Sequence, residues 1–220
     1  MARPAASEPG HQRAYAGKTL AARRSEQRER ILLAARDVFA ARGYAGAAIE
    51  EIVARARVSS TTFYVFFENK EDCLLAVFEL GMERIGAALL QTVSDTAAPD
   101  FDPAERVRQE VRAVAAAFAA DAAMARIVLI GIVGATPAAE RARAQARQAG
   151  AKLIEAQLEQ YPYWARRSGR ERHVASLAAM AAIGEPLSEL VAAGRIDHWE
   201  TLVDPVSEFV ARALIAPEHR

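Results

Sequence analysis

The sequence has a single cysteine, Cys73, in 220 residues. An intrachain disulfide is impossible, and one thiolate cannot build a cysteine metal cluster. It has only four histidines, His11, His173, His198 and His219. None stands in a His-x-x-x-His spacing, so no metal site is expected. A glycine-rich phosphate loop, a Gly-x-Ser-x-Gly elbow and a Cys–His pair are all missing. Paired acids such as Glu50 and Glu51 occupy adjacent helix positions that face different ways. Nothing supports catalysis, and no cofactor is expected. No uninterrupted apolar run reaches the roughly 18–20 residues of a membrane span. The longest, from Ala123 to Val133, is broken by Arg126. The N-terminus has prolines and charges but no apolar signal segment. These absences together point to a cytoplasmic, non-membrane protein in a reducing compartment.

What is present is helix-forming residues and an uneven spread of charge. The formal net charge is zero. Residues 1–70 nevertheless carry twelve Lys and Arg against seven Asp and Glu, and the remainder carries the compensating acidic excess. A basic end can approach a polyanion while an acidic body stays clear of it. A charge fluctuation plus a solvated basic tail is the plainer account, and charge alone does not decide between them.

Residues 1–18 mix Pro, Gly, Ser and charge without periodicity and read as a disordered basic tail. After them, apolar residues recur at three and four, and the chain reads as all-α with about nine helices. The first helix, about Ser25 to Arg42, has Ile31, Ala35, Val38 and Phe39 on one stripe and Gly43 as its stop. The second carries Ile49, Ile52, Val53 and Ala56. The third is short, Ser60 to Phe67. The fourth opens at Asn69 as N-cap, with Glu71 and Asp72 in the first turn. Later starts are marked by Asp102-Pro103, Thr136-Pro137, the Ser168/Glu171 capping box and Asp204-Pro205. Tyr161-Pro162 closes one long helix and Gly194 another. The division expected is 19–70 as a three-helix reading head, a linking helix over about 70–93, and a body over 94–220.

The segment Ile49 to Phe67 (IEEIVARARVSSTTFYVFF) carries the chemistry. Two short helices meet at a turn centred on Val58. Ile52, Val53, Ala56, Phe63 and Phe67 can anchor them, and Ser59 can cap the second. Ser60, Thr61, Tyr64 and Val65 then face outward, a pattern that suits a helix laid in the major groove. Lys70 opposes the helix dipole at the start of its helix, a local cost that argues for a functional role over simple solvation. Arg23, Arg24, Arg28 and Arg30 are either further phosphate contacts or a solvated face.

The run VSSTTFYVFFENKEDCLLAVFE resembles the signature of TetR-type (tetracycline-repressor-like) regulators. Val58, Ser59, Thr62, Phe63, Tyr64, Phe67, Lys70, Glu71, Asp72 and Leu74 match that pattern, and Ile31, Ala34, Phe39, Gly43 and Tyr44 resemble its first helix. The resemblance covers about residues 25–85. It implies an N-terminal helix-turn-helix domain followed by a helical ligand-binding and dimerisation domain. It also implies DNA contact from Thr62 and phosphate contacts from Tyr64 and Lys70, while Ser60 and Thr61 fall where many members have Lys, Arg or Gly. Joined to the turn and the outward face of the short helix, these give the candidate DNA-binding set Arg57, Ser59, Ser60, Thr61, Thr62, Tyr64, Val65 and Lys70. Three further features depart from it. Ala47-Ala48 replaces a capping Thr or Ser, Arg57 replaces a frequent Gly, and Phe66 stands where His or Tyr is common. Arg57 adds a phosphate contact, or strains the turn if its φ is positive.

In the body, Tyr161, Tyr163 and Trp164 cluster between two helices, where they either wall a pocket or plug a junction. His173 is a candidate polar contact. Phe118, Met124 and Met180 read first as core and second as pocket lining. Ala178, Ala182, Leu187 and Leu190 on the penultimate helix, with Val206, Phe209, Val210 and Leu214 on the last, form the candidate dimer interface. A monomer burying these faces internally is the alternative. The function expected is a ligand-responsive transcriptional regulator, a repressor, that binds a pseudo-palindromic operator as a homodimer and is released by a partly apolar small molecule. The rival is an all-helical small-molecule-binding or enzymatic protein without DNA binding.

Overall fold

The computed structural model describes the backbone of residues 10–98 and 100–215 and the side chains from Ala21 onward. The described chain is all-α. The helices are α1 Gly10–Gly46, α2 Ile49–Ala56, α3 Ser60–Phe66, α4 Lys70–Asp95, α5 Pro103–Ala119, α6 Ala122–Arg126, α7 Pro137–Leu158, α8 Pro162–Ala165, α9 Gly169–Ala192 and α10 Glu200–Leu214. A π-helical segment, Ile127–Gly131, continues α6, and a 3₁₀ turn, Ile196–His198, precedes α10. The expected tail over 1–18 falls partly outside the described residues, and α1 itself begins at Gly10.

The helix starts follow the sequence signals. Side-chain oxygens of Ser59, Asn69, Asp102, Thr136 and Ser168 each accept a backbone N–H in the first turn of the helix they open. Ser168 and Glu171 complete a reciprocal capping box. Gly43 breaks α1 at φ 67°, where a Cβ is disfavoured, so the chain turns where the sequence expects a stop. Ala48 offers α2 no side-chain cap.

Four local expectations are corrected. The last helix begins at Glu200, and Pro205 lies inside it rather than opening it. Pro205 is the sixth residue of this helix, past the first-turn amides that lack an intrahelical acceptor, so its missing N–H forgoes one rung of the ladder. Pro162 does not merely end α7 but stands first in the short α8. The apolar helix expected over 122–133 splits into α6 and the π segment. Finally, α9 is by length and composition long and apolar enough to cross a membrane, which a search for unbroken apolar runs overlooked. Only 22% of its most apolar window is buried.

Two apolar cores organise the packing. The larger runs without interruption from the head (Ile31, Phe39, Ile52, Phe63, Leu74, Phe78) into the body (Phe118, Met124, Ile127, Ile132, Leu187). The smaller joins Leu158, Trp164, Ala179, Val210 and Leu214. At the seam between head and body, α4 passes α6 so closely that a Cβ on Gly81 would lie 2.7 Å from Val128 Cγ2 and 2.9 Å from the Met124 sulfur. That contact admits only glycine without a shift of the neighbours.

Candidate nucleic-acid interface

The turn between α2 and α3 is made by Arg57 at φ 54°, ψ 49°. It is the only non-glycine residue with positive φ among the described residues. The left-handed conformation costs a residue with a Cβ about 1 kcal/mol. In return, the amides of Arg57 and Val58 close α2 on the carbonyls of Ala54 and Val53, at 3.2 and 3.0 Å. The positive φ answers the question left by the sequence. The turn is strained, and the Arg57 side chain is exposed beside α3.

Ser59 caps α3 by accepting the Thr62 amide at 3.1 Å, and its hydroxyl lies 2.9 Å from that of Thr62. These two residues therefore spend much of their hydrogen-bonding capacity on each other. Phe63 and Phe67 are buried and hold the inner side of the helix. The outer side shows Ser60, Thr61, Tyr64 and Val65, with Tyr64 56% and Val65 61% exposed. The Phe63 ring meets Tyr64 edge-on at 5.4 Å, which limits how far the tyrosine can swing. A short helix pinned by two buried phenylalanines, with an outer face of hydroxyls, one phenol and one isopropyl group, matches the donor, acceptor and methyl chemistry of base edges and phosphates.

Lys70 is placed differently from its expected role. Its ammonium donates to the carbonyls of Tyr44 and Ala47 at 2.8 and 2.9 Å and sits 4.5 Å from the Tyr44 ring centroid. It closes the turn between α1 and α2, and this answers the dipole cost at the start of α4. One N–H remains for any other partner. Arg23, Arg24 and Arg30 are exposed on α1, and the Arg28 guanidinium lies 5.7 Å from the Phe67 ring centroid, next to the end of α3. Cys73, in the first turn of α4, is fully buried, and burial pushes its thiol up to about 12, so it is chemically quiet.

Residues 31–77 match the family of bacterial regulatory proteins described as the tetR family. Residues 31–77 are thus similar to the N-terminal domain of TetR-type regulators. Among curated relatives, the HTH-type transcriptional activator FasR of Mycolicibacterium smegmatis is 34% identical over 90 residues. That stretch spans 41% of this chain and 39% of FasR, about two fifths of the relative's length. Among solved structures, the fatty acid degradation regulator FadR of Bacillus halodurans superposes with a TM-score of 0.72 at 22% identity, covering 88% of this chain and 97% of that one. FadR of Bacillus subtilis in complex with stearoyl-CoA gives 0.70 at 19% identity, covering 85% and 97%. At these identities the two structures speak for the fold alone, which this chain shares with them over both head and body.

The body does not bring the six candidate effector residues to one place. Phe118 and Met124 are buried in the larger core, Met124 against Gly81. Tyr161 and Trp164 belong to the smaller core, where the Trp164 indole donates to the Leu214 carbonyl at 2.6 Å and ties α8 to the end of α10. His173 pairs with Glu155 across α9 and α7 at 2.7 Å. Met180 lies over Gly150 of α7. The residues that sequence reasoning missed are Arg106, Glu110 and Gln157. Glu110 accepts from Gln157 at 2.9 Å, and burial raises its pKa against the lowering effects of Gln157 and Arg106. The Arg106 Nε is buried without a partner. Burial likewise raises the Tyr161 hydroxyl, which feels Arg106 and Glu110. Only the spacing of Arg106 and Glu110, one helical turn apart, was visible beforehand.

The eight candidate interface residues divide into two sets. Leu187, Val210 and Leu214 are buried within the chain's own cores. Ala178 and Phe209 face solvent, with Phe209 63% exposed, and Ala182, Leu190 and Val206 are half-buried. Val174 and Leu177, which the sequence reading omitted, extend the outward apolar stripe of α9.

Proposed function

We propose that this chain is a TetR-type regulator that controls transcription by binding a pseudo-palindromic DNA operator as a homodimer. The observation that carries the reading is the outward set Ser60, Thr61, Tyr64 and Val65 on a helix whose inner side is locked by Phe63 and Phe67. Two such helices about one duplex turn (~34 Å) apart would enter successive major grooves. The exposed apolar residues Val174, Leu177 and Ala178 on α9 and Phe209 on α10 support a symmetric helix-pair interface between copies. Binding represses where the operator overlaps a promoter.

The effector is proposed to be a long-chain acyl thioester. Similarity of fold to a FadR that binds stearoyl-CoA supports this class, as does a body that combines the apolar core around Trp164 with the polar group Arg106, Glu110, Gln157 and Tyr161. Such a ligand shifts the operator equilibrium only to the extent that it prefers the DNA-free form. The test is titration of duplexes selected from a random pool, at two salt concentrations, with and without stearoyl-CoA. The expected results are saturable binding, a steep loss with salt, and release by the thioester. Absence of selected sequences would remove the DNA reading. Sequence-specific binding unaffected by stearoyl-CoA would remove the effector class alone.

A further inference from the structure

The head is joined to the body covalently only through α4, and it packs on the body through an apolar seam. Apolar contact is strong but non-directional, so it holds two bodies together without fixing their register. A second, charged link crosses the same seam. Asp121, at the start of α6, accepts the Arg36 guanidinium of α1 at 2.7 Å and that of Arg84 of α4 at 3.1 Å. The other oxygen of this carboxylate caps α6 through the Met124 amide at 3.0 Å. Three helices therefore meet on one carboxylate whose side chain is only 16% exposed.

From Arg36 the link continues into the reading head. Arg36 directs Nε and one terminal nitrogen to a single oxygen of Asp37, at 2.9 and 2.7 Å. Arg55 of α2 does the same to the other oxygen, at 2.9 and 2.7 Å. The order Asp121, Arg36, Asp37, Arg55 spans from the start of α6 to α2, the helix that carries α3 through the strained Arg57 turn. An isolated exposed ion pair contributes little. This one is a connected network with two charged groups donating to each carboxylate, and such geometry selects one arrangement among several that the apolar seam would tolerate.

We propose that Asp121 is a positioning residue for DNA reading: through Arg36, Asp37 and Arg55 it fixes the tilt of α2 and α3 relative to the body. This rests on the reading of α3 as the DNA-facing helix. The branch to Arg84 stays on the body side of the seam, because α4 runs on into the body, and it serves as the internal control.

The test uses the full chain labelled with a fluorophore pair at Val65→Cys on α3 and Leu153→Cys on α7, both exposed positions. The labelled chain is diluted into unlabelled chain so that each particle reports one intrachain distance. Buried Cys73 stays unlabelled. The parent should give one narrow energy-transfer population. Asp121→Asn keeps a good N-cap but removes the charge. It should broaden or split that population, as should Arg36→Met. Asp121→Glu, which keeps the charge, should restore it, and Arg84→Gln should leave it narrow. On unlabelled chains, affinity for a pool-selected duplex should fall about tenfold in Asp121→Asn and Arg36→Met with helicity unchanged. If either variant fails to fold, Asp37→Asn cuts the same relay away from the cap. Distributions that superpose on the parent in all relay variants, or equal broadening in Arg84→Gln, would overturn the proposal. A parent that binds no DNA would sink the functional reading, while the energy-transfer result would still decide the relay.

Discussion

The head and the body are both helical, but their structure is determined over different distances along the chain. In the head, nearly every decisive contact is made within about twenty-five residues. Ser59 caps its own helix, Phe63 and Phe67 lie one turn apart, and Lys70 reaches back to Tyr44 and Ala47. In the body, the decisive contacts join distant segments: Glu110 to Gln157, Trp164 to Leu214, Arg108 to Asp204. Local determination leaves a pattern that spacing can reveal. Long-range determination leaves only amphipathic helices that many arrangements could satisfy.

The contrast can be broken most forcefully at Phe63. Truncation to Ala removes a fully buried ring and should cost about 3–5 kcal/mol. Because the larger core is continuous, calorimetry should show the whole chain destabilised and not a separately melting head. An independent early transition for the head would contradict the shared core. The next largest effect is expected on assembly. Phe209→Asp places a charge in the exposed apolar stripe and should shift sedimentation from dimer to monomer while leaving far-UV helicity intact. A mutant that still sediments as a dimer would move the interface elsewhere.

Gly81→Ala probes the seam between the two regions. Its Cβ would intrude on Val128 and Met124, and overpacking of this kind costs about 1–3 kcal/mol. Chemical denaturation should report a lower midpoint, and an unchanged midpoint would mean that the seam is soft. Arg57→Gly works in the opposite direction. It relieves the left-handed strain and should stabilise the chain by about 1 kcal/mol, while flattening the salt dependence of operator binding by about 0.9 if one phosphate contact is lost. Stabilisation with an unaltered slope would show that Arg57 makes no such contact.

The smallest effect is expected with pH. Burial acts on Asp37 to raise its pKa, but the hydrogen bonds and charges of Arg36 and Arg55 outweigh it and leave the pKa lowered. A depressed carboxylate contributes its stability above the unfolded value of about 3.9 and loses it as pH falls through the folded value. Acid titration of melting temperature should therefore show a loss below about pH 4 that Asp37→Asn makes smaller, the rest coming from other depressed carboxylates such as Glu140 and Glu171.

These distances along the chain explain what the sequence revealed. Helix starts at Asn69, Asp102, Thr136 and Ser168 were legible because each cap lies within three residues of its partner. The outward set on α3 was legible because a seven-residue helix anchored by Phe63, and by Phe67 just past its end, leaves one other face. The true engagement of Lys70 was not, since nothing in its neighbourhood indicates that carbonyls from the end of α1 arrive beside it. Division of the interface candidates was hidden for a related reason. Val210 and Phe209 are adjacent and equally apolar, and only the approach of Trp164 and Leu158 decides which one is buried. The Asp121 link, reaching 85 residues back to Arg36, was beyond any local reading.

The central claim is tested most directly by affinity cleavage. An iron chelate attached at Val65→Cys, with Cys73 buried and unreactive, should cut a selected duplex at two places about one helical turn apart, with the pattern lost at high salt. Cuts spread evenly along the duplex, or none at all while the chain remains folded, would show that α3 does not face DNA.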